Sequence, residues 1–122
     1  MRSPVALDEL LGSPTTVDSV LLGRVTGVLL VESEDRAFGL EVTGRSGRWF
    51  LPWIAADVGA HGVRAASAIV FGSSEQLDAY ARQGARVLRR GTDVHLGHDG
   101  RVVRHANGSH VLEAGASGTR AA

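Results

Sequence analysis

Cysteine is absent from this sequence. Disulfide bonds, thiolate zinc sites and cysteine nucleophiles are therefore excluded. A chain of 122 residues, 43% of them apolar, can bury a core without such cross-links. It also has the ordinary length of one domain. We therefore expect a folded domain that is stabilised by side-chain packing.

Lysine is absent too, and neither sign of charge is in excess. The 13 basic residues, all of them arginine, are balanced by 13 acidic residues. A protein whose main partner is nucleic acid or an anionic membrane usually carries a positive excess. The balance counts against a dominant surface of that kind, although a local basic patch stays open.

Long apolar runs are missing as well. No stretch of the sequence approaches the roughly 18 apolar residues of a membrane span. The N-terminus lacks the apolar core of a secretion signal. These absences predict a cytoplasmic protein without membrane insertion.

Short strand patterns separated by glycine-rich turns fill most of the first seventy residues. The predicted strands are residues 17–22, 25–32, 38–43, 48–53, 62–65 and 68–71. Phe38, Leu40 and Val42 alternate towards the core, Gly27 predicts a bulge or bend, and residues 54–58 predict one helical turn. This pattern is typical of a small β-barrel or sandwich.

Two segments have helical patterns instead. Residues 74–83 are the clearer helix, because Ser73 and Gln76 form a capping-box pattern and Gly84 lies where a C′ residue is expected. Residues 4–12 predict a shorter N-terminal helix.

The tail has the pattern of a β-meander. Its predicted strands are residues 92–97, 101–105 and 109–114. Asp99-Gly100 and Asn107-Gly108 predict hairpin turns. In that arrangement one apolar face, which docks on the barrel or on a partner, contains Val94, Leu96, Val103 and Leu112. The predicted organisation is an N-terminal helical segment (1–13), a barrel domain (14–90), a meander extension (91–114) and a disordered tail (115–122).

Residues 21–88 resemble the PRC-barrel family. Residues 22–31 (LGRVTGVLLV) are similar to its glycine-led first strand, 38–42 (FGLEV) to its second core strand, 48–53 (RWFLPW) to its "R-x-F-L-P" strand and 66–70 (ASAIV) to its final strand. Gly27 departs from the pattern, since members often carry an acidic residue there.

The resemblance implies a fold class, which is mainly β: a small PRC-like barrel with one short helix and a C-terminal meander. In that family the barrel occurs in the H subunit of photosynthetic reaction centres and in a ribosome maturation factor. The feature these members share is protein–protein contact by a barrel that is not catalytic. Carrying this feature over to the present chain is an analogy at the level of the fold.

No catalytic, cofactor-binding or metal-binding set is predicted. The serines lack a nucleophile elbow, and the sequence contains neither a P-loop nor a dinucleotide fingerprint. The acidic cluster Glu32, Glu34 and Asp35 is read as a solvated turn. His105 and His110 are predicted to face each other in the meander, with His95 on the opposite face, which is too few converging ligands for a zinc site.

Large rings and clustered arginines are the candidate interface. At least one of the rings Trp49, Phe50 and Trp53 is expected to lie in the core, and another, if exposed near Pro52, to anchor a partner, since tryptophan is enriched at interface hot spots. A basic run, which would share one helical face if the helix continued past Gly84, consists of Arg82, Arg86, Arg89 and Arg90.

The sequence favours a non-catalytic protein-interaction or assembly module with an unidentified protein partner or a second copy of the chain. An RNA- or ribosome-associated maturation factor is the first alternative, and it requires the arginines to gather on one face. A small ligand-binding barrel or enzyme is the second alternative, and it requires a closed apolar pocket with converging polar groups.

Overall fold

A computed structural model describes residues 5–31, 34–59, 61–90, 94–97, 99–106 and 110–113. The strands are β1 (Val5–Ala6), β2 (Pro14–Val17), β3 (Val20–Leu30), β4 (Ala37–Gly44), β5 (Gly47–Pro52), β6 (Ala56–Gly59), β7 (Gly62–Ala65), β8 (Arg86–Leu88), β9 (Val94–Leu96), β10 (Val102–Ala106) and β11 (His110–Glu113). The helices are α1 (Leu7–Leu10) and α2 (Ser74–Arg82), with 3₁₀ turns at Trp53–Ala55 and Ala68–Val70. The fold is mainly β, as predicted.

The larger sheet curls into a half-barrel around the long strand β3. Its strand order is β5-β4-β3-β2-β7-β6, and β8 also pairs with β3. One edge of β3 pairs with β4, while the other edge pairs with β2 near its start and with β8 near its end. The two ends of β3 therefore belong to different parts of the curled sheet.

Two bulges bend the sheet where β3 meets β4. The pairing shifts between Val25 and Gly27 and again between Leu29 and Leu30, which leaves Thr26 and Phe38 as the extra residues. A bulge bends its strand and increases the local twist. The irregularity predicted at Gly27 is confirmed, and it lies where the half-barrel must curve.

The main core lies on the concave side of this sheet. Leu40 and Val42 are fully buried there, as predicted. The prediction for Phe38 is wrong: it is half-buried and packs against a second cluster on the convex side. The bulge is the physical reason, because one extra residue reverses the face to which a side chain points.

Helix α2 covers the convex side of the sheet. The N-cap half of its predicted capping box is confirmed, since Ser73 Oγ accepts a bond from the Gln76 N–H at 3.3 Å, while the Gln76 side chain donates to Tyr80 Oη at 2.9 Å. At its other end, Gly84 has φ +101° and the Ala85 N–H donates to the Tyr80 carbonyl at 3.0 Å, which is a Schellman ending. The helix therefore ends before Arg86 instead of continuing through the basic run.

The meander docks on the chain's own barrel. Strand β9 pairs with β1 and β10, and Val94, Leu96 and Val102 join the main core together with Leu7 and Leu10 of α1. The N-terminal segment, the barrel and the meander therefore share one core. Residues 107–109 and 115–122, which include the second predicted turn and the predicted tail, lie outside the described residues.

The register of the meander differs from the prediction by one residue. Val102, not Val103, pairs with Leu96 on the buried face. His110 pairs with Ala106 and His105 with Val111, so the predicted opposition of the two histidines is wrong. The first turn is a three-residue loop closed by the Gly97 N–H to the Arg101 carbonyl at 2.8 Å, and that length sets the register.

Two further strand predictions fail, and one helical prediction is confirmed only in part, where local hydrogen bonds or tertiary pairing decide the backbone. Residues 17–22 are interrupted by a two-residue turn at Asp18 and Ser19, whose φ values of 50° and 68° are those of a type I′ hairpin. Residues 54–58 divide between a 3₁₀ turn and β6, which pairs with β7.

The strand predicted at residues 68–71 is a 3₁₀ turn at Ala68–Val70 instead. Ser67 Oγ accepts a hydrogen bond from the Ile69 N–H at 3.1 Å, and a local bond of this type competes with a strand ladder. The segment that resembles the final strand of the PRC-barrel family is therefore not a strand here.

Candidate functional site

A buried glutamate lies on the convex face of the half-barrel. Glu41 occupies the middle of β4, between the core residues Leu40 and Val42, and alternation points its side chain away from the main core. It is nevertheless only 2% exposed. Space for its carboxylate comes from Gly27, where a Cβ would lie 3.2 Å from Glu41 Oε1 and 2.8 Å from Val87 Cγ1. The missing side chain at Gly27 thus leaves room for an acid from the neighbouring strand.

Two arginines and a threonine hold this carboxylate. Arg89 donates from both terminal nitrogens, with Nη2 3.2 Å from Oε2. Arg48 Nη1 lies 3.1 Å from Oε2, and Thr26 Oγ1 lies 2.8 Å from Oε1. Arg48 also reaches Asp78 on α2, with Nη2 3.1 Å from Oδ1. We call these five residues the Glu41 cluster.

The cluster keeps Glu41 ionised. Burial acts to raise the pKa of Glu41, but hydrogen bonds from Arg89, Thr26 and Arg48 outweigh it, and the pKa lies below its usual value of 4.5. Bonds to Asp78 and to Glu41 raise the pKa of Arg48. A carboxylate held in this way joins β4 to the segment after β8 and, through Arg48, to α2. The Glu41 carboxylate therefore forms ion pairs that hold these segments together.

Stability should therefore fall in acid because of Glu41. Its pKa is depressed in the folded state, so its contribution is complete above about pH 4.5 and is lost as pH falls through the lower folded value. We expect the free energy of unfolding, measured by urea titration at pH values from 7 to 3, to fall more steeply for the wild type than for Glu41→Gln. Equal slopes in the two proteins would contradict this assignment.

The predicted aromatic anchors are mostly covered. Phe50 is 4% exposed, and its ring centroid lies 4.9 Å from that of Tyr80 and 5.8 Å from that of Phe38. Trp49 and Trp53 are half-buried, and Trp53 packs against the main core. Phe50 is thus part of the contact between α2 and the sheet.

The four predicted arginines are divided among α2, β8 and the segment that follows β8. Arg86 lies on β8 and is paired with Asp35 at 2.9 Å, while Arg89 belongs to the Glu41 cluster. Arg82, in the last turn of α2, and Arg90 are exposed. Because the helix ends at Gly84, the structure does not bring the four side chains onto one helical face.

Exposed aliphatic side chains gather at one end of four neighbouring strands. We call this surface the apolar end; its members are Val20 (60% exposed), Leu21 (56%), Ile54 (96%) and Ile69 (91%). Val20 and Leu21 begin β3 immediately after the hairpin turn. Ile54 lies in the 3₁₀ turn before β6, and Ile69 in the 3₁₀ turn after β7.

Sheet pairing places these segments at the same end. Thr16 of β2 pairs with Arg64 of the parallel strand β7, so both strands run towards this end. Ala56 of β6 pairs with Ala65, and the Ala66 N–H donates to the Ala55 carbonyl at 3.0 Å, which joins the first 3₁₀ turn to the end of β7. The strand order β3-β2-β7-β6 spans three strand spacings, or about 14 Å.

The segments that form the apolar end carry no charge. Residues 19–23, 53–56 and 65–71 contain no Asp, Glu or Arg, in a chain that is 21% charged. Depletion of charge is the compositional mark of an interface core. Sequence reasoning missed this surface because Leu21 and Ile69 were assigned to strand interiors. The three charge-free stretches were the signal in the sequence that could have revealed this surface.

Within the described ranges, no three His, Asp or Glu side chains are placed to hold a metal ion. No helix in the part of the chain that the structure describes combines the length and hydropathy required to cross a bilayer.

Comparisons with known proteins yield no match. No protein-family model matches the chain, and no curated protein or solved structure matches it significantly. The PRC-barrel resemblance therefore remains a prediction from the sequence, and function must be argued from the apolar end and the Glu41 cluster.

Proposed function

We propose that the protein is a non-catalytic interaction or assembly module whose contact surface is the apolar end. The observation that carries the proposal is the presence of four exposed aliphatic side chains in charge-free segments at one end of the sheet. Single exposed apolar residues are ordinary on protein surfaces, whereas several at one end of a sheet favour an interaction site. The curled sheet and the resemblance to the PRC-barrel family agree with a binding scaffold of this kind.

Backbone geometry adds support at the same place. Asp18 and Ser19 both have positive φ, which is costly for residues other than glycine. A two-residue type I′ hairpin turn requires positive φ at both positions. The turn presents Val20 and Leu21, so its conformation directly shapes the proposed surface.

The RNA-associated alternative has less support. It requires unpaired arginines on one surface, but Arg86 and Arg89 are engaged with Asp35 and Glu41. Exposed Arg82 and Arg90 are the remaining members of the predicted run. If they bind RNA, capture of ribosomal components should weaken steeply with salt and should vanish with nuclease.

Affinity capture from the source organism, with and without nuclease, tests the proposal. We expect the tagged wild type to retain a stoichiometric protein after nuclease treatment, and we expect Ile54→Asp/Ile69→Asp to lose it. Both isoleucines are more than 90% exposed, so the double variant should keep the wild-type melting temperature within a few degrees.

The matched control is Gln83→Glu, which adds negative charge at an exposed position at the far end of α2. It should capture the same protein as the wild type. If the double aspartate variant also retains that protein, the apolar end is not the contact surface. An Arg82→Ser/Arg90→Ser variant that alone loses its partner would favour the RNA alternative.

A further inference from the structure

We infer that the outer edge of β8 binds an extended, acidic segment of another protein as an added β-strand. This edge is a second surface, because β8 pairs with the last residues of β3 whereas the apolar end contains the first residues of β3. It lies inside the basic run of the sequence. Three features support strand addition here: unpaired backbone groups on the edge, partial exposure of the strand, and an excess of positive charge around it.

The backbone of Val87 faces away from the sheet. The Val31 N–H donates to the Arg36 carbonyl on the β4 side at 3.2 Å, so the N–H and C=O of the preceding residue, Leu30, point to the opposite edge of β3, where β8 lies. Leu30 pairs with Arg86, and Val87 therefore directs its own N–H and C=O outwards. Within the part of the chain that the structure describes, β8 pairs with β3 alone, and these two groups of Val87 have no hydrogen-bond partner.

Partial exposure distinguishes β8 from the strand with which it pairs. Val28, Leu29 and Leu30 of β3 are fully buried, because β3 has neighbours on both edges. Val87 and Leu88 are only half-buried, although Val87 packs against the convex-side cluster and Leu88 against the main core. An open strand edge of this kind is a template on which an extended peptide can pair.

Positive charge surrounds this edge. Residues 79–92 contain four arginines and no acidic residue. Arg86 and Arg89 each have a carboxylate partner, yet their side chains stay 46% and 55% exposed. Arg82 precedes β8 in the last turn of α2, Arg90 follows β8, and both are exposed. Four arginines against two carboxylates leave a net positive charge around the unpaired edge.

Charge also selects the partner. A second copy of β8 would bring arginine against arginine, and like charges across a strand pair are unfavourable. Acidic side chains of an added strand would instead lie about 5 Å from the arginines on the same face. Alternation places Arg86 on one face of β8 and Val87 on the other. The matching segment is therefore one in which acidic and apolar residues alternate.

A synthetic peptide of that pattern is the probe for the first test. We expect fluorescein-labelled Glu-Val-Glu-Val-Glu-Val-Glu, followed by fluorescence anisotropy, to bind the wild type. Replacing its glutamates by lysine, or methylating its valine amide nitrogens, should each weaken binding by at least about tenfold. The methylated peptide keeps the charge of the probe but lacks the N–H groups that would pair with the edge, so it separates strand addition from charge attraction alone.

Proline variants test the orientation of the edge. Val87→Pro removes an outward N–H without taking a donor from the β3 ladder, so it should keep the wild-type far-ultraviolet circular dichroism and weaken binding of the acidic peptide by at least about tenfold. The Leu88 N–H points to β3, so Leu88→Pro should lower the melting temperature much more than Val87→Pro. Ile54→Asp/Ile69→Asp should bind the peptide as the wild type does.

Amide hydrogen exchange on the wild type needs no variant. In the free protein, the Val87 amide should exchange at least about ten times faster than the amides of Arg86 and Leu88, which are bonded to β3. Saturation with the acidic peptide should slow exchange at Val87 by a similar factor. Such protection, together with weak binding of the methylated peptide, supports strand addition.

Other outcomes overturn it. A Val87 amide that is already protected in the free protein shows that the edge is covered. Failure of the acidic peptide to bind, or equal binding of the methylated and unmodified peptides, excludes strand addition. Binding that Arg82→Ser/Arg90→Ser loses and Val87→Pro keeps shows charge attraction alone, which is the contact expected for RNA. Each of these results leaves the proposal for the apolar end unchanged, because that proposal is tested by capture with the isoleucine variant.

Discussion

Replacing both arginines of the Glu41 cluster, as Arg48→Ala/Arg89→Ala, should lower the free energy of unfolding by about 3 kcal/mol at pH 7. The side chain of Glu41 is 3% exposed, so the variant leaves a buried carboxylate with Thr26 as its remaining side-chain partner in the cluster. This value lies at the low end of the range for broken buried ion pairs, because the two arginine side chains are 38% and 55% exposed. Their removal therefore lets water reach the Glu41 carboxylate. Urea denaturation measures the loss.

Two control variants make this result specific. Arg82→Ala/Arg90→Ala removes two exposed arginines from the same region and should change stability by less than about 0.5 kcal/mol. Adding Glu41→Gln to the double variant removes the stranded charge and should restore at least half of the loss. If this triple variant is no more stable than the double variant, the buried charge of Glu41 is not the cause.

Truncating Phe50 to alanine should cost about 3–5 kcal/mol of unfolding free energy. Phe50 is 4% exposed and packs with Phe38 and Tyr80 under α2. A cavity there separates the helix from the sheet, and the convex side has no other large buried ring to fill it among the described core residues. Chemical denaturation, with near-ultraviolet circular dichroism to follow the rings, measures the effect.

Phe38→Ala provides the comparison for Phe50. Phe38 is half-buried in the same aromatic cluster, so its truncation should cost about half as much. Phe50→Leu preserves most of the volume and should keep the protein folded for capture experiments. If a Phe50→Leu variant of wild-type stability loses its captured partner, Phe50 contributes to the interface, for which it was a candidate in the sequence.

Much of the architecture could be predicted from local pattern. The alternation of β4 placed Leu40 and Val42 in the core, and Ser73 and Gly84 marked the ends of α2, because a cap or a positive φ depends on a few neighbouring residues. The strands of the meander were also predicted. Their register was not, because a loop one residue longer than expected moved Val102 into the place predicted for Val103.

The candidate site was much less predictable. Glu41 reads as the exposed residue of an alternating strand, and its burial depends on Arg89, which is 48 residues away. The large rings were chosen as anchors because of their size, yet Phe50 is covered by α2. Exposure of Ile54 and Ile69 follows from two 3₁₀ turns brought together by the pairing of β6 with β7. A helical turn was predicted at residues 54–58, but residues 68–71 were predicted as a strand.

By itself the sequence determined the properties that depend on composition and near neighbours. These are a cysteine-free, neutral, mainly β chain, the capped helix α2 and the bulge at Gly27. Only the tertiary structure decided which residues are covered. Bulges reversed the face of Phe38, long-range pairing enclosed Glu41, and the strand order gathered Val20, Leu21, Ile54 and Ile69 at one end. Burial is a property of the assembled sheet, because each strand's neighbours come from distant parts of the chain.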